Sequence, residues 1–183
     1  MTLADLGWND FFEKEWARYA HKGWVPARLI RDNKISYGAL TGDGREYEVV
    51  MSGKVYHEAK TDAELPAVGD WVGVELGQDE ENDEHVIRVR LPRKNTLSRK
   101  ASGRSTQEQV IAANVDVVVV VTDPGPDFNL RRMERYFALI GRSGAQPVVL
   151  VNKADLYSPG ENRKAVEAIQ ALNPQAEVYA TTA

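Results

Sequence analysis

Apolar positions change their spacing twice along the chain, and each change marks a different kind of element. Leu3, Trp8, Phe11, Phe12, Trp16 and Tyr19 fall at mostly helical spacing with charges between them, which predicts an amphipathic helix over residues 1–23. Its aromatic stripe is expected to pack on the segment that follows. From residue 24 to residue 91 turn formers divide the chain into short strands. Residues 25–31 lead into the polar turn Asp32-Asn33-Lys34, and residues 35–40 follow it. Gly42-Asp43-Gly44 is a hairpin signal ahead of residues 45–51. Further strands are expected around Val55-Tyr56-His57, after Gly69-Asp70 in WVGVEL, and in HVIRVRL, which carries Val86, Ile87, Val89 and Leu91. Roughly five short strands suit a small closed barrel, an OB-fold first and an SH3-like barrel as the alternative.

Residues 92–113 read as a polar, basic connector. Beyond them the pattern becomes strand, helix, strand, helix, strand. Residues 115–122 (VDVVVVVT) form a β-branched run, as expected of a parallel strand covered on both faces. Leu130, Met133, Phe137 and Ile140 then recur at helical spacing, and a second buried strand covers residues 147–151. A helix near 162–172 and a strand at 176–180 complete a βαβαβ arrangement within residues 114–183. The fold class is therefore multi-domain, a β-barrel followed by part of a parallel α/β domain. A parallel half-sheet of this size looks unfinished.

Composition narrows the function without naming it. The 183 residues suffice for one large core or two small ones. The 43% hydrophobic and 27% charged fractions are those of an ordinary globular protein. Without cysteine the chain has no disulfide and no thiolate metal site, and His21, His57 and His85 make no metal-ligand spacing. The first residues lack a basic region followed by an apolar core, and no apolar run is long enough to cross a membrane. A cytoplasmic protein is expected.

The net charge of −4 hides an asymmetry. Residues 79–84 (DEENDE) are almost wholly acidic. Arg88, Arg90, Arg93, Lys94, Arg99, Lys100 and Arg104 then follow with no acid among them. Such a run can sit on nucleic-acid phosphates even in an acidic protein, and a solvated linker is the competing explanation. Trp24, Tyr37, Tyr47, Tyr56 and Trp71 offer faces on which bases could stack. Core roles are expected for most of them, Trp71 above all.

The sharpest chemistry lies in VVLVNKADL, residues 148–156, where a buried strand stops at Asn152-Lys153-Ala154-Asp155. In open α/β sheets ligands lie beyond the carboxyl ends of strands. A carboxylate there can accept two parallel hydrogen bonds from the N1–H and N2–H₂ edge of guanine. Adenine would leave that carboxylate unpaired, a loss that can discriminate by on the order of 10⁴–10⁵. Asn152 can bind the base and brace the loop, and the Lys153 stem can cover the ring. Thr181-Thr182-Ala183 stands one strand later, where backbone N–H groups could meet guanine O6. Against this, N-K-x-D is a short string of turn formers that also arises by chance. The G-x-x-x-x-G-K-[ST] loop that a nucleotide hydrolase needs for phosphates and magnesium is missing. Ser52-Gly53-Lys54-Val55 is no substitute, since it lacks the preceding glycine and the following Ser or Thr. Two explanations survive: NKAD is not a guanine site, or the phosphate loop follows it in a longer chain.

Several segments together resemble one family. LPAVGDWV (65–72), LPRKNTLSRKASG (91–103), EQVIAANVDVVVVV (108–121), PDFNLRRMERYFAL (126–139) and GAQPVVLVNKADL (144–156) resemble, in this order and spacing, the circularly permuted GTPases of the RsgA/YjeQ type. In that family the guanine motif precedes the phosphate loop, the switch regions and a zinc-binding domain. The resemblance implies that Asn152, Lys153, Asp155, Thr182 and Ala183 contact guanine in GTP. It implies that an OB-fold and adjacent basic residues contact small-subunit ribosomal RNA. It also implies a monomer whose GTP hydrolysis, with Mg²⁺, is stimulated by the small ribosomal subunit and serves its late maturation. This chain would then be an N-terminal portion, with no catalytic or metal residues of its own, inactive alone; zinc would belong to the missing part. A non-catalytic rRNA-binding or scaffold protein is the alternative, and a permuted GTPase acting on the large subunit is disfavoured by the barrel.

Overall fold

Two units divide the chain at Asn114, Met1–Asn114 and Val115–Ala183. The structure is a computed structural model that describes residues 1–78, 84–100 and 108–182, with Lys100 described by its backbone alone. Most of the DEENDE run, Arg104 and Ala183 lie outside the described residues.

In the first unit, β1 (Val25–Asp32), β2 (Tyr37–Thr41), β3 (Glu46–Met51), β4 (Trp71–Glu75) and β5 (His85–Arg90) close a barrel in the order β1-β2-β3-β5-β4. Strand β1 pairs with both β2 and β4, which completes the closure. Neighbours run antiparallel except β3 and β5, which are parallel. Inward positions at alternating sites supply Ala27, Leu29, Ala39, Val49, Val72, Val74 and Ile87 to the core. That spacing follows from the pleat, which turns successive side chains to opposite faces.

Residues 53–58 correct an expectation. In place of a strand around Val55-Tyr56-His57 there is a short helix, α2 (Gly53–Glu58), inserted between β3 and β4. Its cause is local: the Ser52 hydroxyl accepts from the Val55 N–H at 3.3 Å, a cap that outweighs the strand preference of Val and Tyr.

The N-terminal aromatic stripe is divided among a 3₁₀ turn, α1 (Asp10–Trp16) and a second 3₁₀ turn. The Trp8 N–H turns back to the Leu3 carbonyl at 3.0 Å, so no single helix spans the segment. The stripe still packs as expected. Phe12 and Trp16 are buried with Trp71 and Leu91 of the barrel, and Trp8 meets Trp71 edge-on at 4.7 Å.

Within the segment expected as a connector, β6 (Thr96–Lys100) and β7 (Glu108–Ala113) pair as an antiparallel ribbon. The ribbon is tied to the turn before β4: the Ala113 N–H donates to Val68 O at 2.8 Å and the Asn114 amide donates to Gly69 O at 3.0 Å. Gly69 has φ +88°, and a Cβ there would lie 2.1 Å from Ala113 O. Only glycine admits both the left-handed backbone and that approach.

The second unit is a three-stranded parallel sheet in the order β10-β9-β8, built from β8 (Val117–Thr122), β9 (Gln146–Val151) and β10 (Glu177–Ala180). Helix α3 (Leu130–Ser143) follows β8, and α4 (Pro159–Leu172) follows β9. Asn129 caps α3, and a full capping box, Ser158 with Glu161, starts α4. Met133, Ile140, Ala165 and Ile169 of the helices meet Val120, Val149 and Val151 of the sheet. The other face is uncovered. Val119 and Val121 are 51% and 61% exposed, and Val117 and Tyr179 are exposed as well. The β-branched run of β8 is therefore buried on one face, not on both as its sequence predicts.

Candidate functional site

The carboxyl ends of β8, β9 and β10 bring three loops together. After Val151 the chain turns through Asn152 and Lys153 into a 3₁₀ turn, Ala154–Leu156. Backbone bonds fasten that loop on both sides: the Asn152 N–H donates to Thr122 O at 2.7 Å and the Ala154 N–H to Thr181 O at 3.0 Å. The Thr181 hydroxyl donates to Asn152 Oδ1 at 3.3 Å, so Asn152 links the loop to the segment that follows β10. Lys153 holds φ +57°, an uncommon conformation for a residue with a side chain. Its ammonium lies 3.5 Å from the Asp123 carboxylate at the end of β8.

Asp155 is exposed, and it has no hydrogen bond or ion pair among the described residues. Both of its oxygens are available to an incoming donor pair. Thr182 is exposed at the end of β10. Asn152, Lys153, Asp155 and Thr182 thus share one corner of the sheet, as the order of strands and loops requires.

Three further residues shape this corner and carry no motif of their own. Asn162, one turn into α4, donates to Ala154 O at 2.8 Å and Tyr157 O at 3.3 Å, bracing the loop from behind. Asp123 accepts from the Gly125 N–H at 2.9 Å while facing Lys153. Tyr157 brings its hydroxyl so close to Gly125 that a Cβ there would lie 2.3 Å from it. A carboxylate at the end of a buried strand was a readable signal for Asp123. Nothing in the sequence connects Tyr157 to residue 125.

The cationic positions belong to the first unit and behave unequally. Arg93 is largely enclosed. Its guanidinium grips Asp70 through both ends, Nε to Oδ1 at 2.8 Å and Nη2 to Oδ2 at 2.6 Å, and also donates to Leu65 O at 2.7 Å. Asp70 is fully buried, and it accepts from the Ala67 N–H at 2.9 Å. A bidentate pair so enclosed is a structural clamp, and it engages the guanidinium of Arg93 within the protein.

The other cations have varied settings. Arg88 pairs with Glu75 at the surface. Arg90 donates to Glu64 O at 3.2 Å and Leu91 O at 3.1 Å. Burial and then the neighbouring Arg93 charge lower the Arg90 guanidinium from its ordinary value, yet an arginine stays charged. Lys94 and Arg99 are exposed, and Arg99 donates to the Gln109 side chain at 3.3 Å. Among the aromatics, Trp71 and Tyr37 are buried, Trp24 stacks on Tyr19, and Tyr56 is exposed.

Among the described residues no cluster of three His, Cys, Asp or Glu is placed to hold a metal ion. No helix formed by them is long and apolar enough to cross a membrane.

A barrel ahead of a parallel sheet with an N-K-x-D loop after its middle strand is an arrangement shared with circularly permuted GTPases. The solved structures agree at the level of fold. YjeQ from Thermotoga maritima superposes with a TM-score of 0.64 at 20% identity, covering 87% of this chain and 52% of that one. YloQ, described as a circularly permuted GTPase, gives 0.61 at 21%, covering 90% and 54%. The RsgA GTPase family model matches residues 90–183, just over half of the chain, and the chain belongs to that family. Curated relatives named small ribosomal subunit biogenesis GTPase RsgA are 41% identical over 174 residues in Opitutus terrae and 38% over 177 in Syntrophotalea carbinolica. These alignments take in 90% and 92% of this chain but 46% and 47% of the relatives. The chain thus spans about half the length of the relatives it matches.

Proposed function

We propose that this chain supplies the RNA-contacting and guanine-recognising parts of a GTPase that acts in assembly of the small ribosomal subunit, late in its maturation. The observation that carries the reading is Asp155, a carboxylate without a partner among the described residues, in the loop after β9 that Asn152 and Thr181 fasten to the segment following β10. Asn152, Lys153, Asp155, Thr182 and Ala183 form the guanine corner. The barrel is an OB-type barrel, supported by its five-strand order and the helix inserted between β3 and β4. The rRNA contacts fall to Arg88, Arg90, Lys94, Arg99, Lys100 and Arg104, with Arg93 holding the frame beneath them. The βαβαβ unit is one half of a permuted GTPase domain, and its open valine face is where the rest of that domain packs.

GTP is the nucleotide, and Mg²⁺ is held by the phosphate-binding half that this sequence does not contain. Among the described residues no His, Cys, Asp or Glu cluster is placed to hold a metal, and zinc is assigned to the part outside this chain. The chain is a cytoplasmic monomer and does not turn over GTP alone, because phosphate positioning supplies most of phosphoryl-transfer catalysis.

Base specificity provides the test. Guanosine and xanthosine monophosphates differ at C2, where an amino donor is replaced by a carbonyl acceptor. Asp155→Asn converts one acceptor of the side chain into a donor and should reverse the preference from guanosine toward xanthosine in a nuclear magnetic resonance titration. An unchanged preference, or shifts remote from residues 152–155, would remove the guanine reading. Turnover of GTP by this chain with Mg²⁺ would remove the claim that it is inactive alone.

A further inference from the structure

Within the NKAD loop an ammonium and a carboxylate of opposite charge stand two residues apart, at Lys153 and Asp155. Left to themselves they would attract each other, and a Lys153–Asp155 pair would occupy the oxygens that must accept from the base. The structure shows a different partner for the lysine. Lys153 Nζ lies 3.5 Å from Asp123 Oδ2, while Asp155 has no partner among the described residues. Asp123 is itself held in place, because its other oxygen accepts from the Gly125 N–H at 2.9 Å.

We infer that Asp123 is a positioning residue of the guanine corner, which draws the Lys153 ammonium toward β8 and so keeps Asp155 open for the base. The inference rests on the guanine reading above and adds a specificity device to it. The Asp123 pair is half-exposed, so its effect is modest and sensitive to salt.

Asp123→Asn is the informative variant, since an asparagine keeps an oxygen for the Gly125 N–H and removes only the charge. The chain is titrated with guanosine, inosine and adenosine monophosphates and followed by amide resonances of residues 152–155 and 181–182. At low salt D123N should weaken guanosine monophosphate about threefold, the size expected of an exposed ion pair. High salt should restore most of the loss by screening the Lys153–Asp155 attraction. In a Lys153→Met background the same substitution should have no effect, because no ammonium remains to occlude Asp155. A D123N chain that binds as the unsubstituted chain does at low salt would overturn the inference. So would a loss that persists in the K153M background, which would assign Asp123 a structural role alone. If the unsubstituted chain does not distinguish guanosine from adenosine monophosphate, the guanine reading itself fails and takes this inference with it.

Discussion

The barrel and the three-stranded sheet solve the same problem to different degrees. Each barrel strand has a neighbour on both sides, and the interior is filled from all five. Among the described residues the sheet has helices on one face, exposed apolar side chains on the other and no further strand at either edge. Closure removes sheet edges, whereas an open parallel sheet requires cover on both faces. The comparison teaches that closure lets one unit bury its apolar face by itself, whereas the open sheet leaves one of its own faces exposed.

The largest expected effect breaks the complete unit. Asp70→Ala would leave the Arg93 guanidinium enclosed without its counter-charge, at a cost of about 3–5 kcal/mol. Denaturant unfolding followed by tryptophan fluorescence should report it, because Trp8, Trp16, Trp24 and Trp71 all lie in this unit. An unchanged unfolding midpoint would mean that the Arg93–Asp70 pair does not hold the barrel.

Next comes Gly69→Ala, which forces a side chain into the left-handed region and toward Ala113 O. A loss of about 2 kcal/mol or more is expected, with a thermal midpoint lowered for the barrel and ribbon. An unaffected midpoint would mean that the ribbon is not tied to the barrel through this turn.

A smaller effect tests the sheet unit where it is self-sufficient. Ser158→Ala removes the cap of α4 at a cost of about 1 kcal/mol. Hydrogen bonds from the Ser158 side chain and backbone lower the Glu161 carboxyl below its ordinary value. A depressed carboxyl stabilises the fold above its unfolded-state value and loses that contribution as pH falls through its folded value. The start of α4 should therefore fray on the acid side in the unsubstituted chain, as read by amide exchange. In S158A that pH dependence should be reduced.

The smallest effect sharpens the contrast directly. Val121→Thr on the bare face should change the stability of this chain by less than about 0.5 kcal/mol, measured by chemical denaturation. A substantially larger loss would mean that the face is already covered.

Much of this architecture was legible in the residues. The barrel strands announced themselves through turn formers and short β-branched runs, and α3 and α4 through helical spacing and capping residues. Helix α2 was hidden because Val55 and Tyr56 favour strands, while the Ser52 cap that decides the matter is a single hydrogen bond. The β6–β7 ribbon was hidden because a register shift between Leu97 and Ser98 interrupts its alternation. At the N-K-x-D corner, Asn152, Lys153 and Asp155 were readable as a motif, whereas Asn162 and Tyr157 enter by proximity.

By itself the sequence determined that barrel-type strands are followed along the chain by alternating parallel strands and helices, the presence of an N-K-x-D loop after a buried strand, and the absence of a phosphate loop within these residues. Local propensity and spacing carry that information, because each depends on neighbours a few positions away. The tertiary structure alone decided which charges are available. Arg93 sits in the same basic run as Arg99, yet it is spent on Asp70, 23 residues earlier. Lys153 sits beside Asp155, yet it turns to Asp123. Coulombic pairing and burial act through space, so the availability of a charged group is fixed by the fold that surrounds it.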